Sequence, residues 1–340
     1  MTKTDIRQFL QLAESIPVVD VRSPLEFRNG HFPGAINIPL FNDEERAVVG
    51  TKFKNEGRVP AIIEGLKQSG PLVFSKLEQA VSVAKGRRLL VHCWRGGMRS
   101  EAMAWLFSLA GIRTEVLEGG YKTYRHLVLD SFKEERNMIV LGGMTGSSKT
   151  HILRYLKQKG HQVLDLEKIA SHKGSAFGSL GQPPQPTTEQ FANDLHFEWQ
   201  HLDKDLPVWV EDESRNIGTV FMPEGFYDKM QKARTVILAM DIKTRMPRLM
   251  EEYSAYPPEL LKASVLKISK RLGGDNTKDA ILAIEKADIY KAIEIALKYY
   301  DKTYQHSLRR KNNPGIIYVE TDTDDIEENA NKILLSLRPL

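Results

Sequence analysis

Short apolar runs separated by amphipathic stretches recur along the whole chain. The spacing predicts a helix over Asp5–Ala13, a strand at Pro17–Val21, a strand at Leu89–Val91 and a helix over Glu101–Ala110. Farther on, apolar runs at Met138–Leu141, Gln162–Leu166, Pro207–Val210, Val236–Met240 and Gly315–Val319 read as strands. They alternate with helical patterns at 151–158, 189–202, 243–255, 259–272 and 277–304. In the last of these, Leu282, Ile289, Ile293, Ala296 and Tyr300 fall at helical spacing and predict a core face. A closing helix is capped by Asp324 or Asp325. Alternation of this kind predicts an α/β protein built on parallel sheets. Residues 1–128 form a first domain with an insertion at about 42–80, whose mixed charges read alone as a solvated helix face. Residues 122–136 predict a charged helical linker, and 137–340 a second domain with a helical C-terminal region.

Composition narrows the class. At 340 residues the chain has room for two cores, and no apolar run approaches the roughly 18 residues of a membrane span. The polar start carries no secretory pattern, and a single cysteine excludes an intrachain disulfide framework, so a reducing cytoplasm is expected. Net charge is only +4, but residues 262–311 hold 12 Lys/Arg against 6 Asp/Glu. Arg245, Arg248, Lys270, Arg271, Arg309, Arg310 and Lys311 are therefore candidate contacts to an RNA backbone, with a solvated basic surface as the alternative.

Two stretches carry chemistry. Cys93, the sole cysteine, follows an apolar run and opens a loop with Arg95, Gly96, Gly97 and Arg99 before a helix. Backbone amides of Gly96 and Gly97 and the helix N-terminus can converge on an anion there, while Arg95 and Arg99 favour the thiolate. In the second domain, Gly142 to Thr150 joins a strand to a helix as a P-loop does. Gly143, Gly146, Ser148, Lys149 and Thr150 are the candidate phosphate-binding residues, and Thr150 with Asp212, at the end of a later strand, could hold Mg²⁺. The long loop from Ser171 to Pro186 is expected to be functional.

The stretch DVRSPLEFRNGHFPGAINIPL at residues 20–40, the cysteine loop, and Leu117-Glu118-Gly119-Gly120-Tyr121 together resemble a rhodanese-like domain. From Cys93 to Arg99 the loop is longer than in ordinary sulfurtransferase members and resembles that of phosphatase and arsenate-reductase relatives. Fused to a P-loop NTPase-like parallel-sheet domain, this combination resembles the tRNA 2-selenouridine synthase family. Glu45–Thr51, Asp165–Glu167, His172–Gly178 and Glu211–Gly218 are further matching stretches. The family pattern has glycine where this chain has Ser148. The resemblance implies an enzyme that S-geranylates a wobble 2-thiouridine of tRNA from geranyl diphosphate and then installs selenium from selenophosphate. Cys93 would carry selenium as S-selanylcysteine, and Gly65 falls at a glycine linked to geranylation. A transient contact with a selenophosphate-producing enzyme is implied, while ATP use is not. Two alternatives stay open: a sulfurtransferase or phosphatase fused to a kinase-like domain, and a non-catalytic tRNA-binding module.

Overall fold

The computed structural model describes residues 1–311 and 315–337, with the side chain of Arg310 outside that set. The chain divides into two compact units, one of Met1–Ser131 with Ala192–Phe197, the other of Phe132–Phe191 with Glu198 onward.

In the first unit the elements are β1 (Thr2–Thr4), α1 (Ile6–Ala13), β2 (Val18–Asp20), α2 (Pro24–Asn29), β3 (Ile36–Asn37), α3 (Asp43–Glu56), α4 (Arg58–Ser69), α5 (Val73–Val83), β4 (Arg88–His92), α6 (Met98–Leu109), β5 (Arg113–Leu117) and α7 (Gly120–Ser131). Its five-stranded sheet runs β1-β5-β4-β2-β3, every pair parallel. The strands read as unbroken apolar runs because helices cover both faces, and Val19, Leu89, Val91 and Val116 are fully buried. The insertion folds into the helices α3 and α4 and the first part of α5. Asn42 and Glu45 cap α3 reciprocally, each side chain accepting the other's backbone N–H at 2.8 Å.

Residues 122–136 differ from the expected linker. Helix ends at Ser131, and α7 buries Tyr121, Tyr124 and Val128, so it is a structural helix of the first unit. The charged side chains alternate with this apolar stripe, which the count of charges alone concealed.

The second unit comprises β6 (Met138–Gly143), α8 (Lys149–Gln158), β7 (Gln162–Leu164), α9 (Leu166–Ala170), the two ends of α10 (Thr188–Gln200), whose residues Ala192–Phe197 count with the first unit, β8 (Val208–Glu211), β9 (Asn216–Ile217), β10 (Val220–Phe221), α11 (Glu224–Lys232), β11 (Arg234–Met240), α12 (Ile242–Ser254), α13 (Pro258–Lys267), α14 (Ser269–Leu272), α15 (Gly274–Glu285), α16 (Ile289–Arg310), β12 (Ile316–Thr321) and α17 (Ile326–Ser336). The main sheet, β12-β11-β6-β8-β7, is again all parallel, and β9 and β10 form a small antiparallel pair. Asp325 caps α17 by accepting the Glu328 amide at 2.7 Å.

The helix expected over 277–304 is two helices. Ala287 takes a left-handed φ of 57°, and Asp288 caps the new start by accepting the Lys291 amide at 3.0 Å. The break turns Leu282 outward, 47% exposed, while Ile293 and Ala296 stay in the core as expected. Among the described residues no helix is long and apolar enough to cross a membrane.

Candidate functional site

In the first unit, β4 delivers Cys93 to the sheet's carboxyl edge and α6 begins at Met98, so the loop between them wraps the sulfur with backbone amides. Cys93 is buried, with Sγ 3.3 Å from the Ser100 hydroxyl, whose one proton can go to the ionised sulfur or to the Gly97 carbonyl at 2.9 Å. Burial alone would raise the thiol pKa. The Ser100 hydroxyl, the Arg99 charge and the amides of Arg95 and Ser100 outweigh it and hold the thiol below its ordinary value.

The Gly119-Gly120-Tyr121-Lys122 stretch is the back plate of this loop. The Tyr121 amide donates to the Cys93 carbonyl at 2.8 Å and the Lys122 amide to that of Trp94 at 3.0 Å. Gly96 (φ 65°) and Gly120 (φ 62°) sit in left-handed conformations where the two backbones meet, and a side chain on Gly96 would strike the Leu117 carbonyl. Gly97 faces open space. Below them lies a buried ion pair: Arg22 donates to Asp20 at 2.6 Å, its guanidinium 3.7 Å from the Tyr121 ring centre. Burial chiefly keeps the neighbouring His92 below its ordinary pKa.

Arg99 is brought to the cysteine and makes two hydrogen bonds to Glu26, at 2.6 and 3.1 Å. Arg95 is not: its amide faces the sulfur while its side chain is exposed. Gly65 lies on the buried face of α4, where an added methyl would press the Phe41 ring at 3.0 Å and reach Val49. Its visible task is close packing of α4 on α3. Two residues were missed by sequence reasoning, Glu26 and Arg46. Glu26 was identifiable as the partner of Ser23 in a Ser-x-x-Glu capping box.

In the second unit, β6 ends in the P-loop and α8 leaves it. Lys149 Nζ donates to the Gly143 carbonyl at 2.8 Å, lying across the loop. Ser148 adopts φ 63° and ψ 19°, a left-handed conformation that glycine adopts without strain, and its hydroxyl is buried without a hydrogen-bond partner. Replacing Ser148 by glycine should stabilise the protein by about 1 kcal/mol. Thermal denaturation checks this, and a lowered Tm would show that the hydroxyl matters more than the strain.

The pairing of Thr150 with Asp212 for Mg²⁺ does not fit. Thr150 donates to Glu167 at 2.9 Å. Both Asp212 oxygens are engaged elsewhere, one with Lys311 Nζ at 2.6 Å and one with the Tyr304 hydroxyl at 3.0 Å. Among the described residues no group of three or more His, Cys, Asp or Glu is placed to hold a metal. The acids near the lysine are Glu167 and Glu213. Glu213 is pushed up to about 8 by burial and by Glu167, against the pull of Lys149. Between pH 4.5, its ordinary value, and about 8, the folded state therefore keeps a proton that the unfolded chain releases. Stability should fall as pH rises through that window, and Glu213→Gln should flatten the fall in Tm measured across it.

Helix α16 is the strut of this loop. Tyr304 accepts from the Gly143 amide at 2.8 Å, while Asp301 accepts from Arg245 at 2.6 and 3.0 Å, and Arg245 donates on to the Thr145 carbonyl at 2.9 Å. This corrects two of the expected RNA contacts. Arg245 is 2% exposed, and Lys311 is buried in its pair with Asp212; both charges are spent inside the fold. Arg248 pairs with Asp324, while Lys270, Arg271 and Arg309 are exposed. The side chain of Arg310 lies outside the described residues.

Comparison with known proteins agrees with both halves. A profile described as the tRNA 2-selenouridine synthase AAA domain matches residues 136–334, and a rhodanese-like domain matches residues 4–127. A tRNA 2-selenouridine synthase of Nitrosomonas europaea is 34% identical, over 88% of this chain and 91% of its own. Others, from Bdellovibrio bacteriovorus (33%, 88% and 90%) and Sulfurovum sp. (33%, 92% and 93%), are similar over most of their length. With both domain profiles matched, a rhodanese-like cysteine loop and a P-loop in the folded units, and relatives similar over most of their length, the chain belongs to the tRNA 2-selenouridine synthase family.

Proposed function

We propose that this chain converts a wobble 2-thiouridine of tRNA to 2-selenouridine in two steps in the cytoplasm, with the selenium donor received at the Cys93 loop. In the first step the thiocarbonyl sulfur attacks the allylic carbon of geranyl diphosphate, and diphosphate leaves with the bonding pair. The resulting thioether is a better leaving group at C2 than the thiocarbonyl. In the second, the selenium of selenophosphate adds at C2 and geranylthiolate departs with its bonding pair; water then cleaves the P–Se bond, releasing phosphate and leaving the selenium on C2. The P-loop amides and Lys149 take the diphosphate, and Gly65 acts by packing the inserted helices. Exposed Lys270, Arg271 and Arg309 offer contacts to the RNA backbone.

The observation that carries this reading is the buried thiol set among loop amides and beside Arg99, which hold it below its ordinary pKa. A soft thiolate suits selenium, and the surrounding donors suit the oxyanion that accompanies it. The test is mass spectrometry of tRNA nucleosides after incubation with geranyl diphosphate and selenophosphate, separately and together. Geranylated base is expected with the first alone, and 2-selenouridine only with both. Hydrolysis of an aryl phosphate without selenium incorporation would overturn the reading in favour of a phosphatase.

A further inference from the structure

The matching stretch Glu45–Thr51 lies in α3 of the insertion, far in sequence from the cysteine. The fold carries it to the cysteine loop. Asp43, in the first turn of α3, accepts the Leu25 amide at 2.7 Å and an Arg28 N–H at 3.0 Å, which ties α3 to α2. One turn along α3, Arg46 Nε stands 3.6 Å from Glu26 Oε2. That oxygen already accepts from Arg99 at 2.6 Å and from the Ser23 amide at 3.0 Å. At 3.6 Å the Arg46 contact is an ion pair and not a hydrogen bond, and the buried Nε has no hydrogen-bond partner. Two guanidinium groups thus share one carboxylate beside the Cys93 sulfur.

Gly50 explains itself in the same frame. It lies one helical turn after Arg46, without the left-handed φ that would call for glycine, and an added Cβ would run into the Arg46 guanidinium. The glycine costs helix propensity and leaves room for the arginine. Gly65, packed on Phe41 and on Val49 three residues after Arg46, helps to seat the same helix.

We propose that Arg46, carried in by the inserted helix, joins Arg99 and the Cys93 amide loop to form a site for a tetrahedral phosphoryl oxyanion, with the Glu26 carboxylate as a resident placeholder that the oxyanion displaces. The placeholder leaves both guanidiniums paired when the site is empty. A phosphoryl group satisfies both more fully, since its three oxygens can accept from Arg46 Nε, from Arg99 and from the loop amides together. The assignment rests on the reading that the selenium donor is a phosphoryl compound, and it makes Arg46 an anion-binding residue that ordinary charge counting along the insertion places in solvent.

The test uses the full chain, inorganic phosphate as the probe, and iodoacetamide alkylation of Cys93 at constant ionic strength. Phosphate is expected to protect wild-type Cys93. Arg46→Ala should weaken that protection about tenfold, the usual scale for a charge-assisted contact. Arg46→Lys should keep part of it, and Glu26→Gln, which preserves the cap on Ser23, should strengthen it. The pH profile of alkylation supplies a second readout: the charged groups facing the sulfur are Arg99 on α6, Arg46 on α3 and Glu26 on α2, so losing Arg46 should move the thiol titration upward. If Arg46→Ala unfolds, Gly50→Ala serves in its place, because it favours the helix while pushing the guanidinium away. It should weaken protection like Arg46→Ala. Protection within twofold of wild type in whichever of these two variants remains folded would overturn the proposal. None of these readouts requires selenium, so the site can fail while selenium transfer stands. Protection by phosphate without any selenium incorporation would retire the donor reading and leave the site intact.

Discussion

Cys93→Ser should abolish 2-selenouridine formation while tRNA still binds and S-geranylated tRNA accumulates. The substitution changes little in shape, and the Ser100 hydroxyl, Arg99 and the loop amides all remain in place. What it removes is a polarizable sulfur whose thiol is held below its ordinary pKa. A serine hydroxyl in the same amide loop stays protonated and has little affinity for selenium. The expected loss is on the order of a thousandfold or more, the scale of removing a nucleophile from an otherwise intact site. Nucleoside mass spectrometry reads both the missing product and the accumulating intermediate, and filter binding reads the tRNA. Selenation surviving at wild-type rate would make Cys93 incidental and return the protein to the class of tRNA-binding modules.

Lys149→Ala should slow geranylation on the order of a hundredfold, as loss of a single electrostatic donor does elsewhere, with little change in tRNA affinity. The lysine rests on the Gly143 carbonyl at 2.8 Å, inside the loop that it would help to close around a diphosphate. Its ammonium also faces Glu167 and Glu213, so the variant should raise the pKa of both carboxyls. Geranyl-transfer rates and tRNA binding, measured side by side, separate two roles. Intact geranylation with lost tRNA affinity would make the loop a site for the RNA backbone.

Local signals in the chain were read well. The strands, the cysteine loop, the P-loop and the helix caps depend on residues within a turn or two of each other, and all appear close to where spacing puts them. Apart from the linker and the break at Ala287, the errors lie where side chains meet across long sequence distances. Asp212 follows its strand as a metal-binding acid would, but Tyr304 and Lys311, from α16 and its end, reach it first. Arg245 looks like a surface cation because nothing local says that it turns inward, yet Asp301 waits there. Charge content along a helix does not state which charges face out; only the tertiary partners do. Arg46 shows the same ambiguity in the opposite direction. The insertion looked solvated by composition, while one of its arginines stands beside the carboxylate held by Arg99.

The solitary thiol has a consequence for how the cycle closes. Enzymes that hold a chalcogen on one cysteine often release it by forming an internal disulfide with a second. This chain contains one cysteine, so no resolving thiol exists within the same molecule. On the proposed reading, selenium received at Cys93 leaves to an acceptor brought to the loop, the activated base. Buried at 4% exposure, the sulfur also keeps bulky reductants away. Slow discharge in the absence of RNA is the expected result.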